Sequence, residues 1–555
     1  MKKHPILLAA LLATMAGQAQ QTKKDSRPNI IIILADDLGY SDLGCYGSEI
    51  KTPNLDYLAA NGVRFTNFYN TSRCCPTRAS LLTGQYQHRA GIGEMTTDRN
   101  RPGYYGRLTE NAVTLAEVLR SAGYRTAMSG KWHVSNTFEQ SNPQEQLKWL
   151  NHQASYPAFS PLEQYPANRG FEKYYGTIWG VIDFFDPFSL VNGTKPVEQL
   201  PANYYHTDAL NDSAISYIKE FGKGNKPFFL YLAHNAPHWP LQALPADITQ
   251  YKETYKVGWD SIRQARYNRM VKLGLIDPKT TPLSPRIKSE LSWENNPDKA
   301  WDAEAMAVHA AMIDRMDQGI GRIIATLKAT GQLNNTLIFF LSDNGASAEN
   351  AARYGPGFDR PGQTRTGEKV VYPVNKEVMP GPQTSFASIG ERWSNVVNTP
   401  YRFWKAESYE GGINTPMVAF WPQGMKLKKG SITHHTGHVM DFMATVIELA
   451  KTKYPTQYNG HAINAMDGIS LVPVFKGYAV EQGRALFNEH FNAKYVRLGD
   501  WKLVAPSNDS TWRLYNLKED ATELNDLSAK EPGRVKELQQ LWQQWATQNN
   551  VLPKK

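Results

Sequence analysis

Residues 30–37 read IIIILADD, an unbroken apolar run that ends in two aspartates. Four later runs have the same form, since each is short, mainly apolar and followed at once by Gly, Trp or polar residues. They are Tyr124–Met128, Phe228–Ala233, Leu337–Leu341 and Met417–Phe420. Short runs that are apolar on both faces are typical of strands buried within a sheet. The sequence therefore predicts a sheet that is covered on both sides.

Helical patterns lie between these strands. Leu115, Val118, Leu119 and Ala122 are spaced to form one apolar face of a helix, and a longer apolar stripe runs through residues 304–330. Alternating buried strands and helices predict an α/β fold with a large, mostly parallel sheet sandwiched by helices. Ligands of such sheets bind outside the carboxyl ends of the strands.

The residues that follow four of the strands are of the types that form catalytic and metal sites, although Asp36-Asp37 alone would also suit a helix cap and Asp343-Asn344-Gly345 a turn. Asp36-Asp37, Lys131 with His133, His234 with His238, and Asp343-Asn344 come directly after their strands. Parallel strands end at the same edge of a sheet, so we expect these side chains to converge there. The sequence predicts the functional site at that edge.

The first 19 residues have the pattern of a signal peptide. Lys2, Lys3 and His4 precede an apolar run, and Gly17-Gln18-Ala19 offers the small residues of a cleavage site. The run is shorter than the roughly 20 residues that span a bilayer. We therefore predict a signal peptide at 1–19, no membrane span, and export to the bacterial periplasm or the extracellular space.

Two domains are predicted in the remaining chain. Residues 27–469 would form the catalytic domain, and its Gly- and Pro-rich stretch at 344–405 would be a loop that shapes the substrate site. Residues 470–555 would form a small α+β subdomain, because antiparallel strand patterns there precede an amphipathic helix near Leu538 and Trp545.

The net charge argues against one class of partner, and the cysteine content indicates an unpaired thiol. The net charge of +9 becomes +7 without Lys2 and Lys3, and no run of five basic residues occurs, which argues against a nucleic-acid partner. The three cysteines cannot all pair, and two of them, Cys74 and Cys75, are adjacent. An unpaired thiol of an exported protein is either buried or chemically used.

The stretch CCPTRASLLTG at residues 74–84 carries the most specific signal. Pro76 suits the first turn of a helix, which would place Cys74 at the helix N-terminus, where anions are favoured, with Arg78 one turn on. The stretch resembles the sulfatase signature Cys-x-Pro-(Ser/Thr)-Arg-x-x-x-x-Thr-Gly at every fixed position. Further segments that resemble the family are Pro28–Gly39, Thr52–Asp56, Gly130–His133, Ala236–Pro240, Ser342–Gly345 and Lys405 with Tyr409–Gly412.

This resemblance implies an alkaline-phosphatase-like fold and a sulfuric ester hydrolase. It also implies that a separate maturation enzyme oxidises Cys74 to formylglycine. Hard oxygen ligands such as Asp36, Asp37, Asp343 and Asn344 suit Ca²⁺ or Mg²⁺ better than Zn²⁺. The resemblance implies Ca²⁺, with residue 74 as a further ligand.

The resemblance also assigns roles in catalysis. One hydroxyl of the hydrated aldehyde would attack sulfur and displace the alcohol, while His238 or Lys405 protonates the leaving oxygen. The other hydroxyl would collapse to the aldehyde and expel sulfate with help from His133. Positive charge from Lys131, Arg78 and Lys405 would neutralise the sulfate oxygens.

The substrate is predicted less sharply than the reaction. The overall pattern is similar to bacterial enzymes that desulfate carbohydrates, and galactose 3-sulfate is our first candidate. Asp183 and the turn that carries His490, Asn492 and Lys494 are predicted substrate contacts.

Two alternatives remain at this stage. One is a phosphate or phosphonate ester hydrolase of the same superfamily. The other is a non-catalytic protein that binds sulfated glycans and keeps Cys74 unmodified.

Overall fold

The computed structural model describes residues 25–155, 158–286, 291–478 and 483–551. The predicted signal peptide at 1–19 lies outside the described residues. Within the described part, every helix is too short or too polar to cross a membrane.

A ten-stranded sheet forms the centre of the molecule, and a pair of short strands follows it. The strands of the sheet are β1 (Asn29–Ala35), β2 (Val63–Tyr69), β3 (Arg125–Gly130), β4 (Lys173–Thr177), β5 (Leu190–Asn192), β6 (Lys195–Pro196), β7 (Phe228–Ala233), β8 (Thr336–Ser342), β9 (Met417–Phe420) and β10 (Ser431–His438). The following pair is β11 (Gln457–Tyr458) and β12 (His461–Ala462).

The sheet has the order β10-β2-β9-β8-β1-β7-β3-β4-β5-β6. Its central strands, from β8 across β1, β7 and β3 to β4, are all parallel. Antiparallel pairing occurs on either side, where β9 lies between β8 and β2 and where β5 joins β4. The predicted α/β fold is confirmed, and the sheet is mixed outside its parallel centre.

Helices cover both faces of this sheet and continue along the chain to its end. They are α1 (Pro53–Asn61), α2 (Cys74–Thr83), α3 (Gln87–Ala90), α4 (Leu115–Ser121), α5 (Pro143–Leu150), α6 (His206–Phe221), α7 (Pro245–Thr249), α8 (Trp259–Lys272), α9 (Lys299–Ala329), α10 (Gly390–Val397), α11 (Glu410–Ile413), α12 (Asp441–Ala450), α13 (Val472–Phe475) and α14 (Pro532–Gln548).

Strand β1 shows why its run is apolar throughout. Ile31 and Ile33 pack in one buried core, whereas Ile30, Ile32 and Leu34 pack in the core on the opposite face. Successive side chains of a strand point to opposite faces. Every position of a strand with a core on each side therefore faces an apolar environment, which favours an apolar residue.

A separate antiparallel sheet of four strands lies near the C-terminus. It consists of β13 (Ala485–His490), β14 (Ala493–Leu498), β15 (Trp501–Ala505) and β16 (Arg513–Asn516), and Leu538 of α14 packs against it. This confirms the predicted small α+β unit. The domain boundary at residue 470 stays a prediction; Leu471 and Phe475, just beyond it, still pack in a core of the large sheet.

Candidate active site

The polar residues that follow the central strands do come together at one edge of the sheet. The Lys131 ammonium is 2.5 Å from Asp36 Oδ2, which joins the ends of β3 and β1. Asp37 Oδ2 is 3.0 Å from Lys405 Nζ and 3.4 Å from His238 Nε2. All five side chains are almost fully buried. His234 is also buried, and both of its ring nitrogens lack a hydrogen-bond partner.

Helix α2 begins at Cys74, as the position of Pro76 predicts. Every residue of the helix is buried, and Gly84, which follows its last residue, has a left-handed backbone. Thr77, in the first turn, accepts the Thr71 N–H at 3.0 Å, so the turn before the helix is held in place. Cys74 therefore lies at the helix N-terminus, directly after a turn that this hydrogen bond stabilises.

Arg78 binds protein groups rather than facing open space. Its Nε and Nη2 donate to Asp343 Oδ2 at 3.1 and 2.8 Å, and Nη1 donates to the Lys131 carbonyl at 2.9 Å. The guanidinium thus orients Asp343 and the end of β3. Its positive charge therefore acts on the active site through Asp343 and the Lys131 backbone, without direct contact with a substrate.

Four oxygen-bearing side chains form a group that fits a hard divalent cation. Asp36 Oδ1 and Asn344 Oδ1 are buried without a hydrogen-bond partner. The Asn344 amide nitrogen donates to Asp37 Oδ1 at 2.6 Å and to the Gly345 carbonyl at 2.9 Å, so its oxygen is the free atom. Buried acceptors without donors are expensive, and a cation bound by Asp36, Asp37, Asp343 and Asn344 would satisfy them.

The pKa values of Asp36 and Asp343 are shifted in opposite directions, although burial opposes the ionisation of both. At Asp36 burial opposes ionisation, but Lys131, His238 and Arg78 outweigh it and lower the pKa to about 2. At Asp343 burial and the charge of Asp36 together raise the pKa well above its ordinary value. A bound cation would lower the electrostatic cost of keeping both ionised.

A cavity of about 370 Å³ lies beside the aspartate cluster, and Lys131 and Lys405, which pair with Asp36 and Asp37, form part of its wall. Its volume is within the range of roughly 300–1,000 Å³ found for small-molecule sites. Cys74, Lys131, His133, His238 and Lys405 all line it, so five of the six predicted catalytic residues share its wall. Arg78 does not line it. The arrangement places a potential nucleophile, proton donors and cations around one space next to the oxygen ligands.

Comparison with known proteins decides the family. The family model described as sulfatase matches residues 28–452, more than half of the chain. The chain belongs to the sulfatase family. A second model, N-sulphoglucosamine sulphohydrolase, C-terminal, matches residues 401–550.

Three relatives illustrate how far the likeness extends. An uncharacterized sulfatase of Schizosaccharomyces pombe is 31% identical, over 97% of this chain and 96% of the relative. An arylsulfatase of Klebsiella aerogenes is 33% identical, over 84% of this chain and 95% of its own. The crystal structure of Ps i-CgsB is 25% identical with a TM-score of 0.63, covering 95% of this chain and 94% of that one.

This sulfatase is therefore a sulfuric ester hydrolase of the alkaline phosphatase superfamily, and its substrate carries a sulfate ester. The family is metal-dependent, and the buried acidic groups of this chain can bind a metal.

The predicted substrate contacts His490, Asn492 and Lys494 lie outside the cavity wall. His490 is buried at the end of β13, with Nδ1 3.3 Å from the Gly93 carbonyl, and Asn492 is exposed in the turn that follows. Lys494 lies over the rings of Trp512 and Trp542. None of the three lines the cavity of this sulfatase, and their contact with substrate stays a prediction.

Asp183 is buried and binds its own loop. It accepts the backbone N–H groups of Phe185 and Asp186 at 2.8 and 2.7 Å and the Gln242 amide at 2.8 Å. It is also absent from the cavity wall, so a direct role in substrate binding has no support from its position.

Sequence reasoning missed Arg73 and Glu349, which do line the cavity. Their side chains form an ion pair of 2.9 Å, and Glu349 also lies 3.4 Å from Lys405 Nζ and accepts Trp239 Nε1 at 2.8 Å. The two residues are 276 positions apart, so no local pattern links them. The available signal was the 344–405 loop, which also contributes Tyr354 to the wall.

Cys75 was given no role by the sequence either. Its Sγ lies 3.2 Å from His133 Nε2. A hydrogen bond with Cys75 keeps the pKa of the Cys74 thiol well below its ordinary value against the effect of burial, and the charge of Lys131 acts in the same direction. Burial lowers the pKa of His133 to about 4.

Proposed function

We propose that this sulfatase removes sulfate from a sulfated carbohydrate, with formylglycine at position 74 as the nucleophile and Ca²⁺ as the metal. The observation that carries the proposal is the shared cavity. Cys74, at the head of α2, opens into the same space as Lys131, His133, His238 and Lys405, beside four buried oxygen ligands.

The nucleophile would be made from the Cys74 thiol by a separate maturation enzyme that oxidises it to an aldehyde. Hydration of the aldehyde gives two hydroxyl groups on one carbon. One attacks sulfur, and the second allows the sulfated intermediate to collapse back to the aldehyde. An ordinary serine would leave a sulfate ester that needs water for its cleavage. The cysteine content of the chain and its predicted signal peptide support maturation during export to the periplasm or outside the cell.

Asp36, Asp37, Asp343 and Asn344 would hold the cation, with residue 74 as a further ligand. When bound, Ca²⁺ supplies positive charge that favours a deprotonated hydroxyl and screens the sulfate oxygens. The purely oxygen donor set supports Ca²⁺, and Mg²⁺ is the other hard cation that it could take.

His238 and Lys405 form the best-placed pair for protonating the leaving oxygen. His238 Nδ1 is 2.5 Å from the Trp239 carbonyl, and Nε2 is 3.1 Å from Lys405 Nζ. Nδ1 therefore carries the proton that the carbonyl accepts, and Nε2 accepts from the Lys405 ammonium. We assign the donated proton to this pair, with Lys405 as its source.

Lys131 and His133 would act on the sulfuryl group itself. The Lys131 ammonium lies at the cavity wall beside Asp36, where it can neutralise a sulfate oxygen. Burial keeps His133 neutral near pH 7, with its pKa at about 4, so it can take the proton from the second hydroxyl as the aldehyde re-forms.

The remaining wall supports a carbohydrate as the alcohol. Trp239 and Tyr354 stack with ring centres 5.2 Å apart, and Phe358, another ring of the wall, is 44% exposed. The Arg73–Glu349 pair offers a donor and an acceptor beside them, and each side chain is about one-fifth exposed. Apolar faces next to paired polar groups suit a sugar ring, and galactose 3-sulfate is the first candidate to assay.

The test begins with protein exported from a host that has the maturation enzyme. Peptide mass spectrometry should find the aldehyde at residue 74. The turnover of nitrophenyl sulfate should exceed that of the matching phosphate and phosphonate esters, and Cys74→Ala should abolish it while Cys45→Ala does not. A panel of sulfated monosaccharides then identifies the sugar and position. Faster phosphate or phosphonate cleavage, or only thiol at residue 74, would overturn the proposal.

A further inference from the structure

Two thiols and an imidazole lie together at the head of helix α2. The ligand atoms of Cys74, Cys75 and His133 are all within 4.8 Å of one another, and Cys75 Sγ is 3.2 Å from His133 Nε2. All three residues are buried. The proposed hydrolysis gives no task to Cys75.

The donor atoms of this cluster differ in kind from those of the aspartate site. Sulfur and imidazole nitrogen prefer Zn²⁺ and other thiophilic cations, whereas carboxylates prefer Ca²⁺ and Mg²⁺. In a tetrahedral zinc site the ligand atoms are about 3.6 Å apart, given Zn–S and Zn–N bonds of about 2.3 and 2.0 Å. The observed separations bracket this value: Cys75 Sγ and His133 Nε2 are 3.2 Å apart, and no pair of the three ligand atoms is more than 4.8 Å apart.

A metal ion can reach the cluster through the active-site cavity. Cys74, His133 and Met95 line the cavity, and Met95 Sδ lies 4.0 Å from Cys75 Sγ. His133 Nδ1 is buried without a partner, so no hydrogen bond from that atom restrains the ring.

We propose that Cys74, Cys75 and His133 bind one Zn²⁺ ion as long as residue 74 is still cysteine. Both cysteines bind as thiolates, any proton still on sulfur goes to solvent, no atom is oxidised, and the fourth position is left for water from the cavity. Conversion of Cys74 to the aldehyde removes one thiolate and so dismantles the site. This last consequence rests on the proposed maturation, whereas the site itself needs only the three side chains.

Co²⁺ is the probe for the test, because thiolate ligation gives it an intense near-ultraviolet absorption. Protein made without the maturation enzyme is checked for the Cys74 thiol by intact mass and saturated with Ca²⁺ to occupy the aspartate site. One equivalent of Co²⁺ should then produce the thiolate absorption, and Zn²⁺ should displace it. Cys75→Ala and Cys75→Ser should each weaken Co²⁺ binding at least tenfold, and Cys45→Ala should leave it unchanged.

Two results would overturn the proposal: the absence of thiolate absorption, or an absorption that persists undiminished in Cys75→Ser protein with an intact fold. Protein with a verified aldehyde at residue 74 should lose the absorption at the same Co²⁺ concentration. Sulfatase activity is measured separately on that matured protein, so failure of the zinc site and failure of the proposed hydrolysis are distinguishable.

Discussion

The side-chain amide of Asn344 uses its nitrogen for hydrogen bonds and leaves its oxygen available to a cation. Its nitrogen is bonded to Asp37 and to the Gly345 carbonyl, and its oxygen is buried and free. We expect Asn344→Ala to lower the affinity for Ca²⁺ by at least about 10- to 100-fold, which is already the cost of removing a group that only supports a metal ligand. Chelator competition measures the change, and Asn525→Ala at an exposed position is the control. Unchanged Ca²⁺ affinity in Asn344→Ala would remove Asn344 from the ligand set.

Glu349 is a charged residue of the cavity wall that can bind the substrate. Burial opposes its ionisation, but the charges of Arg73 and Lys405 hold its pKa well below the ordinary value, so it is a carboxylate at pH 7. We expect Glu349→Gln to raise KM about tenfold or more, since a charged hydrogen bond is worth about 1.5–3 kcal/mol. Steady-state kinetics on the identified sugar sulfate check this. An effect on kcat alone, with KM unchanged, would contradict a role in substrate binding.

At the scale of secondary structure, Gly130 lets β3 end next to β7. It has a φ of +118°, and a Cβ atom there would lie 1.9 Å from the Ala233 carbonyl oxygen. We expect Gly130→Ala to cost at least about 3 kcal/mol of folding free energy, because backbone strain and overlap add. Activity should fall too, since Lys131 follows directly.

Gly193 is the matched control for this substitution. It also has a positive φ, of +66°, but nothing lies within 4 Å of a Cβ atom there. Gly193→Ala should therefore cost only about 1 kcal/mol, the strain of the left-handed backbone. Urea unfolding compares the two variants, and equal losses would show that contact with Ala233 is not the cause.

A buried ion cluster joins α11 to the C-terminal sheet. Lys502 Nζ on β15 lies 2.8 Å from Glu410 and 2.7 Å from Glu523, and Glu523 also accepts the Glu410 N–H at 2.8 Å. Lys502→Met leaves two buried carboxylates without their cation, so we expect a loss of about 3–5 kcal/mol. Urea unfolding should show it, with exposed Lys518→Met as the control; comparable stability in both variants would refute this account.

At the scale of the whole molecule, the cation should stabilise the folded chain, because its ligands come from distant segments. Asp36 and Asp343 are brought together only by folding. Ca²⁺ at 100 times its Kd should add about 2.7 kcal/mol to the free energy of unfolding. Chelation should remove this increment and the activity, and Ca²⁺ should restore both. In Asn344→Ala protein the same Ca²⁺ concentration should add clearly less; an equal gain would place the stabilising ion elsewhere.

The central strands and the cluster at their carboxyl ends were predictable from local sequence. A strand with a core on both faces needs an unbroken apolar run, and the residues after each run must lie at the sheet edge. The start of α2 at Cys74 was predictable because proline favours the first helical turn. The antiparallel direction of β9 was not, since a short apolar run carries no mark of its direction.

By itself, the amino-acid sequence determined the α/β fold, the family and the residues that could hold a cation or act in catalysis. Only the tertiary structure decided which of these face the cavity. In the structure, Arg78 binds Asp343 and does not line the cavity. Asp183 and Lys494 also lie outside the cavity wall. Glu349 does line it, next to Arg73 and Lys405. The physical reason is that strand ends are fixed by local periodicity, whereas the positions of loop residues depend on packing between segments hundreds of residues apart.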